Sequence, residues 1–151
     1  MQQFIEFMNT YFFYIWLVMA VIVVSLLSIK GSKAIRMFSD LDLSNLIYSE
    51  KNASGYSTKS FRTKIGGASR VLHIMITDKE LIIKTYLLFA YIAEKHDLLH
   101  RIPLENILST EIKKGTRYSK LVVEFKGQHG EVKEIVLMSK NNIRIKEILD
   151  K

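Results

Sequence analysis

His96 and His100 stand four residues apart, with Glu94 and Asp97 beside them. On a helix that spacing puts both imidazoles on one face, which can offer a divalent metal two nitrogen ligands. The metalloprotease pattern H-E-x-x-H needs a glutamate directly after the first histidine. Here Asp97, Leu98 and Leu99 lie between the two, and no metal centre is expected. His73 has strand-like neighbours on both sides and reads as a core or edge histidine. Glu105 and Glu111 can be written as an acid–base pair, but nothing in the sequence fixes their separation, and carboxylates on strands are ordinarily just solvated. No G-x-S-x-G elbow, P-loop or G-x-G-x-x-G occurs. The chain has no cysteine, which excludes disulfides, thiolate ligands and thiol nucleophiles. Neither a cofactor nor an enzymatic activity is expected.

Cations are the more informative residues. Lys59, Arg62, Lys64 and Arg70 form one cluster, with Gly66 and Gly67 between them, and paired glycines can leave backbone N–H groups open to an anion. Lys113, Lys114, Arg117 and Lys120 form a second cluster, interleaved with Tyr118. Aromatic–basic mixing can bind nucleic acid by stacking and phosphate contact. Anionic lipid heads rank above nucleic acid here, because the cations follow a membrane span, and solvated loops rank above both. The whole chain of 151 residues carries a formal charge of +7. Glu6 is the only charged residue before Lys30, so the positive excess lies entirely beyond the span, as attraction to anionic lipid would require.

The span is the run from Tyr11 to Ile29, which holds no charge. At a rise of 1.5 Å per residue it reaches about 28 Å, close to the hydrocarbon thickness of a bilayer. Ser25 and Ser28 can return their hydroxyls to carbonyls one turn earlier. Tyr11 and Tyr14 suit the interface at one end, and Lys30, Lys33 and Arg36 follow at the other. A helix apolar on every face has no partner able to cover it in so small a domain. A cleaved signal peptide fits poorly, since no Lys or Arg precedes the run and no A-x-A-like site follows it. The charge bias predicts a single-pass protein of the cell (inner) membrane with its C-terminal domain in the cytoplasm. The span has no small-x-x-x-small pair to argue for dimerisation through it.

Three regions follow: a transmembrane helix over 1–30, a juxtamembrane linker over 31–56 and a domain over 57–151. The linker, with apolar Leu41, Leu43, Leu46 and Ile47, reads as a tether packed lightly on the domain, or as a short helix starting near Ser39. Period-two alternation and short apolar runs predict strands over 57–65, 71–77, 80–86, 98–102, 107–114, 120–126 and 131–138. Asp78-Lys79 and Gly127-Gln128-His129-Gly130 read as hairpin turns. The stretch 87–97 fits a short helix. Ser139 can cap a final helix through Asp150, with Ile145, Ile148 and Leu149 on one face. The fold class is therefore mainly β: seven antiparallel strands in a small barrel closed by a C-terminal α-helix, preceded by one transmembrane helix.

That order resembles the pleckstrin-homology-like barrel, specifically small bacterial PH domains and their GRAM-type relatives. Ile76-Thr77-Asp78-Lys79-Glu80-Leu81 is similar to their Thr-x-x-x-Leu hairpin, and Ile102-Pro103-Leu104-Glu105-Asn106-Ile107 to their I-P-L-x-x-I step. The terminal helix falls where theirs does, and the match spans about 57 to 151. The resemblance implies a binding or scaffolding module rather than an enzyme, holding a protein partner or an anionic lipid headgroup at the bilayer. Phosphoinositide-binding members carry a basic loop between their first two strands, where this chain has Lys59, Arg62, Lys64 and Arg70 in a sparser pattern. An accessory subunit of a larger membrane complex is the alternative.

Overall fold

The computed structural model describes residues 2–115, 119–127 and 129–150, without the side chains of 2–6, 8 and 9. One helix, α1, runs over Gln2–Ile35 and passes through a 3-10 turn at Arg36–Phe38. Its segment Thr10–Phe38 is long and apolar enough to cross a membrane, and the apolar window is not buried against the rest of the chain. Ser28 Oγ donates to the Val24 carbonyl at 2.8 Å, the internal bond that lets a hydroxyl sit in an apolar helix.

The remaining elements are β1 (Leu46–Ser57), α2 (Phe61–Ile65), β2 (Ala68–Thr77), β3 (Glu80–Thr85), α3 (Leu87–Lys95), β4 (His100–Pro103), β5 (Ile107–Lys113), β6 (Lys120–Lys126), β7 (Val132–Met138) and α4 (Asn142–Leu149). All seven strands pair antiparallel in the order β4-β3-β2-β1-β7-β6-β5. The expected mainly β architecture with a terminal helix is thus present. The expected closure is not, because β4 and β5 form the two free edges of the sheet. β4 is four residues long, ends at Pro103 and runs into a 3-10 turn at Leu104–Asn106. A proline cannot donate to a ladder, so pairing stops there.

The first predicted strand is also misplaced. Residues 46–56, assigned to the linker, form β1 together with Ser57, and the rest of the expected strand over 57–65 holds α2 instead. The inward positions at the end of β1 are Ala53, Gly55 and Ser57, too small to give a hydrophobic alternation. A Cβ on Gly55 would stand 2.9 Å from the Val136 carbonyl oxygen, so a side chain does not fit there. The short helix begins with a capping box: Ser60 Oγ accepts from the Thr63 N–H at 3.2 Å, and the Ser60 N–H donates to Thr63 Oγ1 at 2.9 Å. Alternating Phe61, Thr63 and Ile65 mimic a strand, but only Thr63 of the three is buried.

β1 is shared between two halves. Its first part pairs with β2 and its last four residues with β7. The register shifts on either side of Ala53, and Asn52 adopts φ 63°, the kind of bulge that bends a strand. β2 and β3 bury consecutive residues, Ile74-Met75-Ile76 and Leu81-Ile82-Ile83, so both faces of this half are covered. Ala34 at the end of α1 and Phe38 in the turn after it, with Ala90 and Ala93 of α3, belong to the same buried cluster. Arg101 fastens this end: its guanidinium meets Glu80 through two 2.9 Å bonds, Asp40 Oδ1 at 2.9 Å and the Met37 carbonyl at 3.1 Å.

The terminal helix α4 packs on β5 and β6. Ile145 is fully buried, and Ile148 and Leu149 are partly buried against the same cluster. Ser139 is not its cap, because the helix starts after Asn141. The Ser139 hydroxyl donates to Glu50, and Asn142 ties the start of α4 to the Ser139 N–H and the Ser119 carbonyl.

Candidate functional site

The bulge of β1 and the start of β2 build a cleft. Arg70 adopts φ 55°, an uncommon conformation for a residue with a long side chain. It is held by its N–H, which donates to Ser54 Oγ at 2.9 Å. Across from it, Asn52 Oδ1 accepts from the Tyr86 hydroxyl at 3.3 Å. Between these positions opens a hollow of about 560 Å³, lined by Glu50, Tyr56, Lys64, Arg70 and Lys140 among others. α2 brings Lys64, β2 brings Arg70, and the segment after β7 brings Lys140.

Electrostatics favour an anion in this cleft. Among the described residues, Lys64, Arg70 and Lys140 take part in no ion pair, and all three are exposed. Glu50, the carboxylate of the wall, is already engaged. It accepts from the Ser139 and Tyr48 hydroxyls and, at 3.0 Å, from the Lys140 N–H. Burial alone pushes the Glu50 carboxyl up, but these bonds outweigh it and hold the pKa below the ordinary value. Burial, with Glu50 beside it, pushes the Tyr48 hydroxyl up. Glu50 thus fixes the wall, where the Lys140 charge also acts on it, while Lys64, Arg70 and Lys140 make no close ion pair. At the far wall, Lys120 Nζ lies over the Tyr56 ring, 5.6 Å from its centroid.

The eight cations singled out in the sequence are not gathered in one place. Lys64 and Arg70 share the cleft, and Lys120 borders it through Tyr56. Lys59 lines a separate hollow of about 440 Å³ together with Lys133, Glu124, Glu131 and Glu134, where the carboxylates outnumber the cations. Arg62 is exposed on α2. Lys113 pairs with Glu111 on its own strand at 3.3 Å, and Lys114 is exposed at the end of β5. Arg117 and Tyr118 lie outside the described residues. Lys140 was not among the sequence candidates, and its isolated position in the chain gives no signal for it.

The histidines do not converge. His96 packs against Gly66, where an added Cβ would stand 2.0 Å from the ring. His100 is buried, with Nε2 2.8 Å from the Asp97 carbonyl oxygen and its ring edge-on to Phe125. Burial lowers its pKa although the Asp97 carboxylate pulls the other way. Asp97, at φ 54°, is itself held by the Ser57 hydroxyl at 3.2 Å and by Lys133 at 3.4 Å. Among the described residues no group of three or more His, Asp or Glu is placed to hold a metal ion. No protein-family model matches the chain, and no curated protein matches it.

Proposed function

We propose that this chain is a membrane-tethered, PH-like binding module whose domain lies on the cytoplasmic face and holds an anionic ligand in the cleft between β1, α2 and the β7–α4 connection. The observation that carries this reading is one chain joining an uncovered apolar helix to an open cleft with three unpaired cations. The strand order, the terminal helix on β5 and β6, and the Thr77–Glu80 turn all fit the PH-like resemblance. In that turn Thr77 Oγ1 accepts from the Glu80 N–H at 3.1 Å. Orientation rests on Lys30, Lys33 and Arg36 at one end of the apolar run and no cation at the other.

The chemistry is recognition. A phosphate or phosphodiester group in the cleft would meet Lys64, Arg70 and Lys140, with Tyr56 as an apolar wall. Each charge-assisted bond contributes about 1.5–3 kcal/mol, so removing one cation should weaken binding about tenfold or more. The test is calorimetric titration of the detergent-solubilised full chain with glycerol phosphate, against glycerol as the neutral control. Saturable binding weakened about tenfold or more in Lys64→Gln and in Lys140→Gln supports the reading. Equal responses to the two ligands would contradict it.

A further inference from the structure

We infer that α3 lies in the interfacial layer of the same bilayer that α1 crosses, seating the domain on the membrane through a second, in-plane contact. This rests on the reading of α1 as a membrane span.

The sequence of α3 is inverted relative to a helix that faces water. Its buried residues are the small ones, Ala90 and Ala93, and Ala90 faces the end of α1 at Gly31. Apart from the charged Glu94 and Lys95 at its end, its exposed residues are large and apolar: Leu87 at 42 %, Leu88 at 42 %, Phe89 at 45 % and Ile92 at 46 %, with Tyr86 just before them at 50 %. A helix on a soluble surface carries its large apolar residues inward and polar ones outward. Contiguous apolar surface of this kind marks an interaction site.

Three observations identify the bilayer as the occupant. The first is continuity. The uncharged run of α1 ends at Ile29, and two residues later Gly31 lies against the backbone of Leu87, so α3 starts where the span leaves the hydrocarbon. The second is the ring of groups around it. Tyr91 lies between two cations, Lys30 Nζ at 4.8 Å and Lys95 Nζ at 5.7 Å from its ring centroid, a pairing suited to the headgroup layer. The third is the neighbouring element. α2 also exposes large apolar side chains, Phe61 at 80 % and Ile65 at 69 %. A short wall of Gly67, Ala68 and Ser69 separates the cationic cleft from an apolar hollow lined by Phe89 and Ile92. An apolar face rimmed by cations is the pattern of a helix lying in an anionic interface.

The absence of native cysteine makes the test direct. Full-length variants Val21→Cys, Leu88→Cys, Ile92→Cys and Ile143→Cys are each labelled with a polarity-sensitive fluorophore. They are reconstituted in phosphatidylcholine vesicles containing phosphatidylglycerol. Quenching is compared between acyl-chain nitroxide lipids and aqueous iodide. The expected result is lipid quenching at positions 21, 88 and 92, several-fold stronger than at position 143 on the exposed side of α4. If position 21 is lipid-quenched while 88 and 92 behave like 143, α3 lies in water and this inference fails with the tether intact. Protection of 88 and 92 from both quenchers would mean a protein covers α3, which also overturns it. If position 21 is not quenched by lipid, the tether itself is wrong.

Discussion

The backbone of Gly31 in α1 lies against the Leu87 carbonyl at the start of α3, so close that a Cβ on residue 31 would stand 2.1 Å from that oxygen. A glycine within a helix costs about 1 kcal/mol relative to alanine. Here it is required because α3 reaches the helix backbone itself. The contact fixes how the apolar helix joins the domain. Gly31→Ala should therefore destabilise the protein, by about 1–3 kcal/mol as for other overpacked sites. Ser32→Ala, on an exposed neighbour, should leave stability within about 0.5 kcal/mol. Urea titration in detergent micelles compares the two. A stabilised Gly31→Ala would show that the two helices separate freely.

The terminal helix provides a second test. Ile145 is fully buried, so Ile145→Ala should cost about 2–5 kcal/mol. Lys146 is no neutral control, since its ammonium bonds Asp150 and, at 3.2 Å, Thr110 Oγ1. Exposed Glu147 serves instead, and Glu147→Gln should change stability little. Equal midpoints for Ile145→Ala and Glu147→Gln would mean that α4 contributes nothing to the core.

Stability should also fall as pH drops below about 6.5, the ordinary histidine value. His100 is buried with a lowered pKa, so in that range the unfolded chain takes up a proton that the folded chain refuses. Stability then declines with falling pH by up to about 1.4 kcal/mol per unit, until the folded pKa is reached. Half-buried His73, lowered by burial and by Lys84 and Lys51, acts in the same direction. Glu50 extends the loss at more acid pH, since its depressed pKa contributes stability that disappears as the carboxylate protonates. Urea midpoints measured across pH 5–7.5 should slope less in His100→Gln than in the natural chain. An unchanged slope would remove His100 from the account.

Much of this was legible in the sequence because the relevant side chains are large. β2, β3, β6 and β7 announce themselves through buried Ile, Leu, Val and Phe, and α1 through its uncharged run. β1 is hidden because its inward residues are Ala53, Gly55 and Ser57 and because the bulge at Asn52 breaks the alternation. The cleft is less legible still. Lys64 and Arg70 were visible as cations, but Arg70 is aimed by a positive φ, and Lys140 and Glu50 reach the site from opposite ends of the domain. The apolar outer face of α3 could be counted in the sequence, but not which of its sides would turn inward. That is settled by the small residues Gly31 and Ala90 meeting.

The most direct test of the central claim is the sidedness of the two ends. Gln3→Cys and Ile143→Cys, each in the otherwise cysteine-free full chain, are exposed to a membrane-impermeant maleimide in sealed inside-out and right-side-out membrane vesicles. The account predicts labelling of position 143 only where the cytoplasmic face is outward, and of position 3 only where the opposite face is outward. Labelling of both positions from the same side would contradict it, because α1 would then not cross the membrane.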